Sequence, residues 1–181
     1  DHIILIGFGK LGYRVFNVLR QLGEAVVVIE RDPNCQFLEA LRRDGSPLLL
    51  GDGRRESLLV EANAAKARSI ILATDDDLAN LEIALDAQHI KPNIRVILRM
   101  FDQNMADKIR EGFSINASMS QAALAAPVFA MAAIDSWIVN SFVVDDQLVT
   151  MPRWTVRAEG PLGGRTVGDV IDQYRFGVVQ R

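Results

Sequence analysis

The sequence predicts an α/β fold on a doubly wound parallel sheet, and two observations carry that expectation. Short aliphatic runs recur along the first two-thirds of the chain: Ile3-Ile4-Leu5-Ile6, Val26-Val27-Val28-Ile29, Leu48-Leu49-Leu50, Ile70-Ile71-Leu72 and Val96-Ile97-Leu98. They are uninterrupted rather than alternating, as in strands covered on both faces. Amphipathic segments separate them, and strand–helix repetition with right-handed crossovers gives a sheet of order 3-2-1-4-5.

Each connecting element has its own signal. Leu11, Val15, Val18 and Leu22 fall at i, i+4, i+7 and i+11, and Gly23 is placed to end that helix. Asp32-Pro33 reads as a cap and first-turn pair for the next helix, which closes at Gly45. Leu78, Leu81 and Leu85 mark another, stopped by Lys91-Pro92-Asn93. Residues 105–111 give a short helix before Gly112, and a short sixth strand is expected near 114–117.

Beyond Asn116 the texture changes. Residues 118–133 are mostly Ala with Ser, Leu, Met and Phe, a helix of little side-chain bulk. It suits either close approach to a partner chain or ordinary burial. From Trp137 the pattern turns β-like (Trp137-Ile138-Val139, Phe142-Val143-Val144, Leu148-Val149), then Pro161-Leu162-Gly163-Gly164 precedes a helical piece over 167–174. This is the expected opening of a small α+β subdomain.

The chain has 181 residues, 49% apolar and 24% charged, with 13 Gly and 6 Pro. That composition excludes a disordered or collagenous protein. Twenty basic against 23 acidic residues give a net charge of −3, with no basic footprint for nucleic acid or an anionic membrane. A single cysteine, Cys35, excludes an intrachain disulfide and suits a reducing compartment. The apolar start is too short for a secretory leader, and the greasiest stretch, 122–134, is interrupted by Pro127 and falls short of the roughly 18 apolar residues of a spanning helix. A soluble piece is expected. Asp1 abuts a buried strand and the 177–181 end reads as the middle of one, so the piece is expected to come from a larger chain.

Gly7-Phe8-Gly9-Lys10-Leu11-Gly12 is a G-x-G-x-x-G between a strand and a helix, the context that gives the motif meaning. Gly7 permits the tight turn, Gly9 admits a diphosphate close to backbone N–H groups, and Gly12 lets helix and strand pack closely. The helix N-terminus offers unpaired donors and a positive dipole end. A glycine-rich turn without a ligand is the alternative. Glu30 ends the second strand about 20 residues past Gly7, where a carboxylate accepts from adenosine ribose hydroxyls and repels a 2′-phosphate. This favours NAD(H) or an adenine mononucleotide over NADP(H), although a neighbouring Arg31 would tolerate the extra phosphate. Glu30 and Arg31 also read as solvated charges.

Gly51-Asp52-Gly53 closes the third strand, where Asp52 and the next backbone N–H face an adenine edge or simply make a turn. Ala73-Thr74-Asp75-Asp76-Asp77 follows the fourth strand. Thr74 lies on a ligand's path and Asp76 reads as a helix cap, while adjacent carboxylates point apart and make a poor cation site. Arg99, ending the fifth strand, suits a phosphate or a surface ion pair. The two histidines, His2 and His89, read as structural, and no Tyr-x-x-x-Lys pair, nucleophile elbow or metal-ligand cluster is present. A dehydrogenase needs a proton donor and a substrate domain, and the sequence offers neither clearly.

The glycine motif, Glu30, Gly51-Asp52-Gly53, Ala73-Thr74-Asp75-Asp76-Asp77-Leu78-Ala79-Asn80-Leu81 and Arg99-Met100-Phe101-Asp102, in that order, resemble the RCK (regulator of K⁺ conductance) family, also called the Trk-type NAD-binding domain. The resemblance covers about residues 1–135. It implies a Rossmann-like nucleotide-binding domain over 1–117 and an intersubunit crossover helix over 118–135. Residues 136–181, with Pro161-Leu162-Gly163-Gly164-Arg165-Thr166-Val167-Gly168, would begin a truncated C-terminal subdomain. It implies a cytosolic regulatory module on the inner face of the membrane, assembling as a homodimer or larger ring on a K⁺ channel or transporter. Family members bind NAD(H), ATP, ADP or AMP, and some bind Ca²⁺. Carried over by position, Gly7, Phe8, Gly9, Lys10, Leu11 and Gly12 form the phosphate turn and Glu30 and Arg31 flank the ribose. Asp52 and Gly53 lie by the adenine, Thr74, Asp75 and Asn80 near the ligand's middle, and Arg99 near its phosphates. Gly53 departs from the Ala or Thr common there. The expected role is ligand sensing without catalysis. An NAD-dependent oxidoreductase fragment lacking its substrate domain, and a ring scaffold that binds nothing, are the alternatives.

Overall fold

A computed structural model describes residues 1–112, 115–144, 147–174 and 177–178. The chain divides into two compact units, Asp1–Ala125 and Ala126–Arg181. In the first, parallel strands β1 (Ile3–Ile6), β2 (Val26–Glu30), β3 (Leu48–Leu50), β4 (Ser69–Leu72), β5 (Arg95–Met100) and β6 (Ala117–Ser120) form one sheet ordered β3-β2-β1-β4-β5-β6. The order reverses between β1 and β4, as the aliphatic runs predict.

The sheet is buried on both faces. Ile4 and Ile6 of β1 join Ile70, Leu72, Val96 and Leu98 under α3 (Glu56–Glu61), α4 (Asp77–Ile90) and α5 (Gln103–Gly112). Leu5 turns the other way, with Val26 and Val28, beneath Phe16 of α1 (Lys10–Gln21) and Leu38 and Leu41 of α2 (Leu38–Asp44). Alternate residues of one strand therefore enter opposite layers, and a continuous aliphatic run is required.

Several elements differ from what the sequence pattern predicts. The buried residues of α1 are Gly12 and Phe16, flanked by half-buried Val15 and Leu19, while Val18 and Leu22 are exposed. Phe16 wins the inward position because its ring packs edge-to-face on Phe8, 5.4 Å between centroids. In α4 the inward face is Asn80, Ile83, Ala84 and Ala87, and Leu78 and Leu85 are exposed. Small residues let this helix lie close to the sheet. The second helix starts at Leu38 rather than after Asp32-Pro33. Asp32 instead makes a turn, its carboxylate accepting from the Asn34 N–H (2.9 Å) and its carbonyl from the Cys35 N–H (3.1 Å). Helix α3 and the 3₁₀ turn Ala64–Lys66 carry no strong periodicity and were not expected.

The sixth strand begins at Ala117 and takes in Ser118 to Ser120, which the small-residue pattern gives to the following helix; Ser114 lies outside the described residues. Pairing of Ala117–Ser120 with Ile97–Met100 decides this. The Asn116 carboxamide also accepts from the Val96 N–H at 2.8 Å. Helix α6 (Gln121–Ile134) then runs through Pro127 and has no buried residue. In the second unit, β7 (Ile138–Val144) and β8 (Gln147–Pro152) pair antiparallel, and α7 covers Val167–Tyr174. Of the strand-like 177–181 end, Gly177 and Val178 are in no strand and the other three residues lie outside the described set. Among the described residues no helix is long and apolar enough to cross a membrane.

The close seat of α1 on β1 depends on Gly12. A Cβ there would stand 1.9 Å from the Gly7 carbonyl oxygen, an impossible contact with backbone. Gly12→Ala is expected to lower stability by roughly 1–3 kcal/mol in thermal unfolding. Gly9→Ala, whose methyl meets no atom within 4 Å, lowers it far less.

Candidate functional site

Parallel register brings the carboxyl ends of the strands to one edge: Ile6 stands beside Ile29 and Leu72, and Glu30 beside Leu50. The segments leaving those strands enclose an open cleft of about 720 Å³ at the reversal of strand order, the place where folds of this type take ligands.

At its centre is the glycine turn. Gly7 has φ +88° and packs so tightly on β4 that a Cβ would meet the Thr74 nitrogen at 2.9 Å. Gly9 caps α1 without any side-chain hydrogen bond, and the first turn holds no acidic residue. The first N–H groups of α1 therefore have neither an intrahelical acceptor nor a nearby acid of their own helix, at its positive end.

Glu30, at the tip of β2, faces this turn. Its Oε2 accepts from the Phe8 N–H and its Oε1 from the Asp32 N–H at 2.8 Å. Each oxygen keeps acceptor capacity beyond these single bonds. The cleft is not filled by the protein's own side chains, and Glu30 lines it.

A buried polar clamp holds the other side. Asn80 is fully buried: its Nδ2 donates to the carbonyls of Thr74 (3.2 Å) and Arg99 (3.1 Å), and its Oδ1 accepts from Thr74 Oγ1 at 2.6 Å. Arg99 Nη1 adds a bond to the Thr74 carbonyl at 3.2 Å. The ends of β4 and β5 are thus tied together by a satisfied network. Asp76 caps α4 through the Ala79 N–H (2.9 Å), and Asp77 accepts from the Phe101 N–H (2.7 Å). Two of the three adjacent carboxylates are therefore spent on backbone, and among the described residues no cluster of His, Cys, Asp and Glu could hold a metal ion. His2 donates to the Ala62 carbonyl at 2.8 Å, a structural bond.

Of the residues singled out by sequence, Gly7, Gly9, Lys10, Leu11, Glu30, Arg31, Asp52, Gly53, Thr74, Asp75 and Arg99 line the cleft together. Phe8, Gly12 and Asn80 do not. The Phe8 ring is in the core and only its N–H serves the site; Gly12 and Asn80 act from behind the wall. The sequence pattern does not reveal the 32–37 loop, where Asp32, Asn34, Cys35, Gln36 and Phe37 form one rim, because Asp-Pro reads as a helix start. The Cys35 thiol donates to the Phe8 carbonyl (3.2 Å) and Phe37 stacks on Tyr13 (4.5 Å), which holds that loop irregular.

Nor does the sequence pattern single out Arg54, which also lines the cleft. Its Nη2 lies 2.6 Å from Asp52 Oδ2 and its Nε 3.1 Å from Oδ1, and the Arg54 N–H reaches Oδ1 at 3.1 Å. The Asp-x-Arg spacing is the signal that could have found this pair. Between them Gly53 is required by crowding: a Cβ would meet Ile6 Cγ2 at 2.7 Å and Ile83 Cδ1 at 3.2 Å.

Residues 3–120 match the model of the TrkA-N domain. The chain belongs to that family. A curated relative, the glutathione-regulated potassium-efflux system protein KefC of Enterobacter sp. (strain 638), is 37% identical over 109 residues, 60% of this chain but only 17% of the relative. This chain thus corresponds to a small part of that protein. Among solved structures, the Shewanella denitrificans Kef CTD in AMP-bound form shares the fold with a TM-score of 0.64 and 23% identity, over 74% of this chain and 79% of that one. The GsuK channel bound to NAD does so with a TM-score of 0.61 and 18% identity, over 71% of this chain and 23% of that one.

The side-chain hydrogen bond from Arg54 is the main force that lowers the Asp52 carboxyl from 3.8 to about 2. An NMR titration of the Asp52 carboxyl carbon is expected to show that depressed midpoint, and Arg54→Ala to return it toward 3.8. The sign follows from linkage: the pair supports folding above the unfolded carboxyl's pKa, and that support is lost as pH falls through about 2.

Proposed function

We propose that this chain is a regulatory, nucleotide-sensing domain of a K⁺ transport system, binding an adenine nucleotide or NAD(H) in the cleft and transmitting occupancy through subunit geometry. The observation that carries this reading is the uncapped amide end of α1, facing an open cleft beside the ionisable Glu30. A phosphate or diphosphate supplies the missing acceptors, and ribose hydroxyls donate to the remaining positions on Glu30. Gly7, Gly9, Lys10, Leu11 and Gly12 make the phosphate turn, Arg31 the ribose rim, Asp52 and Gly53 the base end, and Thr74, Asp75 and Arg99 the wall facing the ligand's middle. Membership of the TrkA-N family and the AMP- and NAD-bound fold relatives support the ligand class.

The role is sensing rather than catalysis. The buried Asn80 and the carboxylates of Asp76 and Asp77 are engaged in holding strand and helix ends, which suits a rigid binding wall. The family relationship to a potassium-efflux protein supports a membrane-embedded K⁺ channel or transporter as partner, with this domain at the cytoplasmic face. We divide the chain into the nucleotide domain 1–117, the linking helix region 118–135 and a smaller unit 136–181. Leu124, Val128, Phe129 and Ile134 of α6 are exposed, as are Leu78, Phe101 and Met105, which supports a homodimer or larger ring of this chain. A ligand shifts such an assembly only by its differential affinity for two arrangements, typically about 1–3 kcal/mol per site.

Calorimetric titration with AMP and NAD⁺ tests the reading. The chain is expected to bind at least one of them, and Glu30→Ala to weaken that binding roughly 10- to 100-fold. Silence from both ligands, or undiminished affinity in a folded Glu30→Ala variant, contradicts it.

A further inference from the structure

The geometry points to Arg54, anchored by Asp52, as the side chain that meets the base of a bound nucleotide, so that the cleft accepts 6-amino and 6-oxo purines alike. This rests on the nucleotide-binding reading above and refines its base end. In a sheet of this order the adenosine half of a ligand lies toward the second and third strands, and Asp52 and Arg54 follow β3 and line the cleft.

By residue type alone, Asp52 would accept from the exocyclic amine of adenine. Its carboxylate is already taken. Arg54 supplies three donors to it: the backbone N–H to Oδ1 (3.1 Å), Nε between the two oxygens (3.1 and 3.2 Å), and Nη2 to Oδ2 (2.6 Å). A carboxylate offers about four acceptor positions, so little capacity is left for a base. Gly53 is wedged against Ile6 and Ile83, and the turn carrying the pair is fixed against β1 and α4. Guanidinium and carboxylate therefore form one paired unit whose free chemistry is that of the arginine.

A guanidinium offers N–H donors and a flat cationic face, and no acceptor. With Nε and Nη2 turned to Asp52, the flat cationic face is what a purine meets, and it stacks on either ring whatever the 6-substituent. The 6-amino group of adenine finds little open capacity on Asp52. The two bases are accordingly equivalent to within a small factor.

Calorimetry with AMP and IMP on the wild-type chain, Arg54→Ala and Asp52→Ala tests this. Wild-type affinities for the two nucleotides are expected to agree within about threefold. Arg54→Ala frees an acceptor that favours the amine and repels O6, moving the ratio toward AMP by roughly tenfold. Asp52→Ala frees the guanidinium and moves it toward IMP. Simple loss of structure would weaken both nucleotides equally and leave the ratio still. A wild-type preference for AMP beyond about threefold, or ratios unmoved in the variants, overturns the inference while the nucleotide-binding reading stands. Failure of the wild type to bind either nucleotide overturns both.

Discussion

The site is organised by one carboxylate. Glu30 closes the gap between the tip of β2 and the glycine bend, taking the Phe8 N–H with one oxygen and the Asp32 N–H with the other. That bridge fixes the bend's height relative to the sheet and sets the path of the 32–37 rim. Because the bend is fixed, the amide end of α1 is aimed at the cleft rather than at solvent. A negative charge at that point also balances the positive end of the helix without filling the space before it.

The sheet was legible because burial on two faces leaves a continuous aliphatic run, a pattern other elements rarely produce. The helices were legible as helices but not as faces. A helix against a parallel sheet is chosen for closeness as much as for greasiness, so Ala84 and Ala87 face inward while Val18, Leu22 and Leu78 face out. Hydrophobicity counting reverses that preference. The serines of β6 show the same limit from another side: strand pairing with β5 outweighs local propensity, and Ser118 and Ser120 are buried in the sheet.

Within the cleft, residues whose place follows from backbone geometry were readable in advance. Gly7, Glu30 and Thr74 lie at or just past strand ends and Gly9 at the helix start, and these boundaries are what the pattern locates. Residues whose role depends on a side-chain partner were not. Asn80 looks like a ligand contact by position, yet it is a buried clamp between β4 and β5. Arg54 looks like a surface charge, yet it claims the carboxylate beside it. Pairing of this kind depends on rotamers that composition and spacing do not encode.

The most direct measurement is a map of backbone amide chemical shifts as AMP is added. The N–H resonances of Leu11, Gly12, Phe8 and Asp32 are expected to move together and saturate at one affinity, while those of β7 and β8 stay in place. Saturation with unmoved α1 and Asp32 amides, or shifts confined to the second unit, would contradict it.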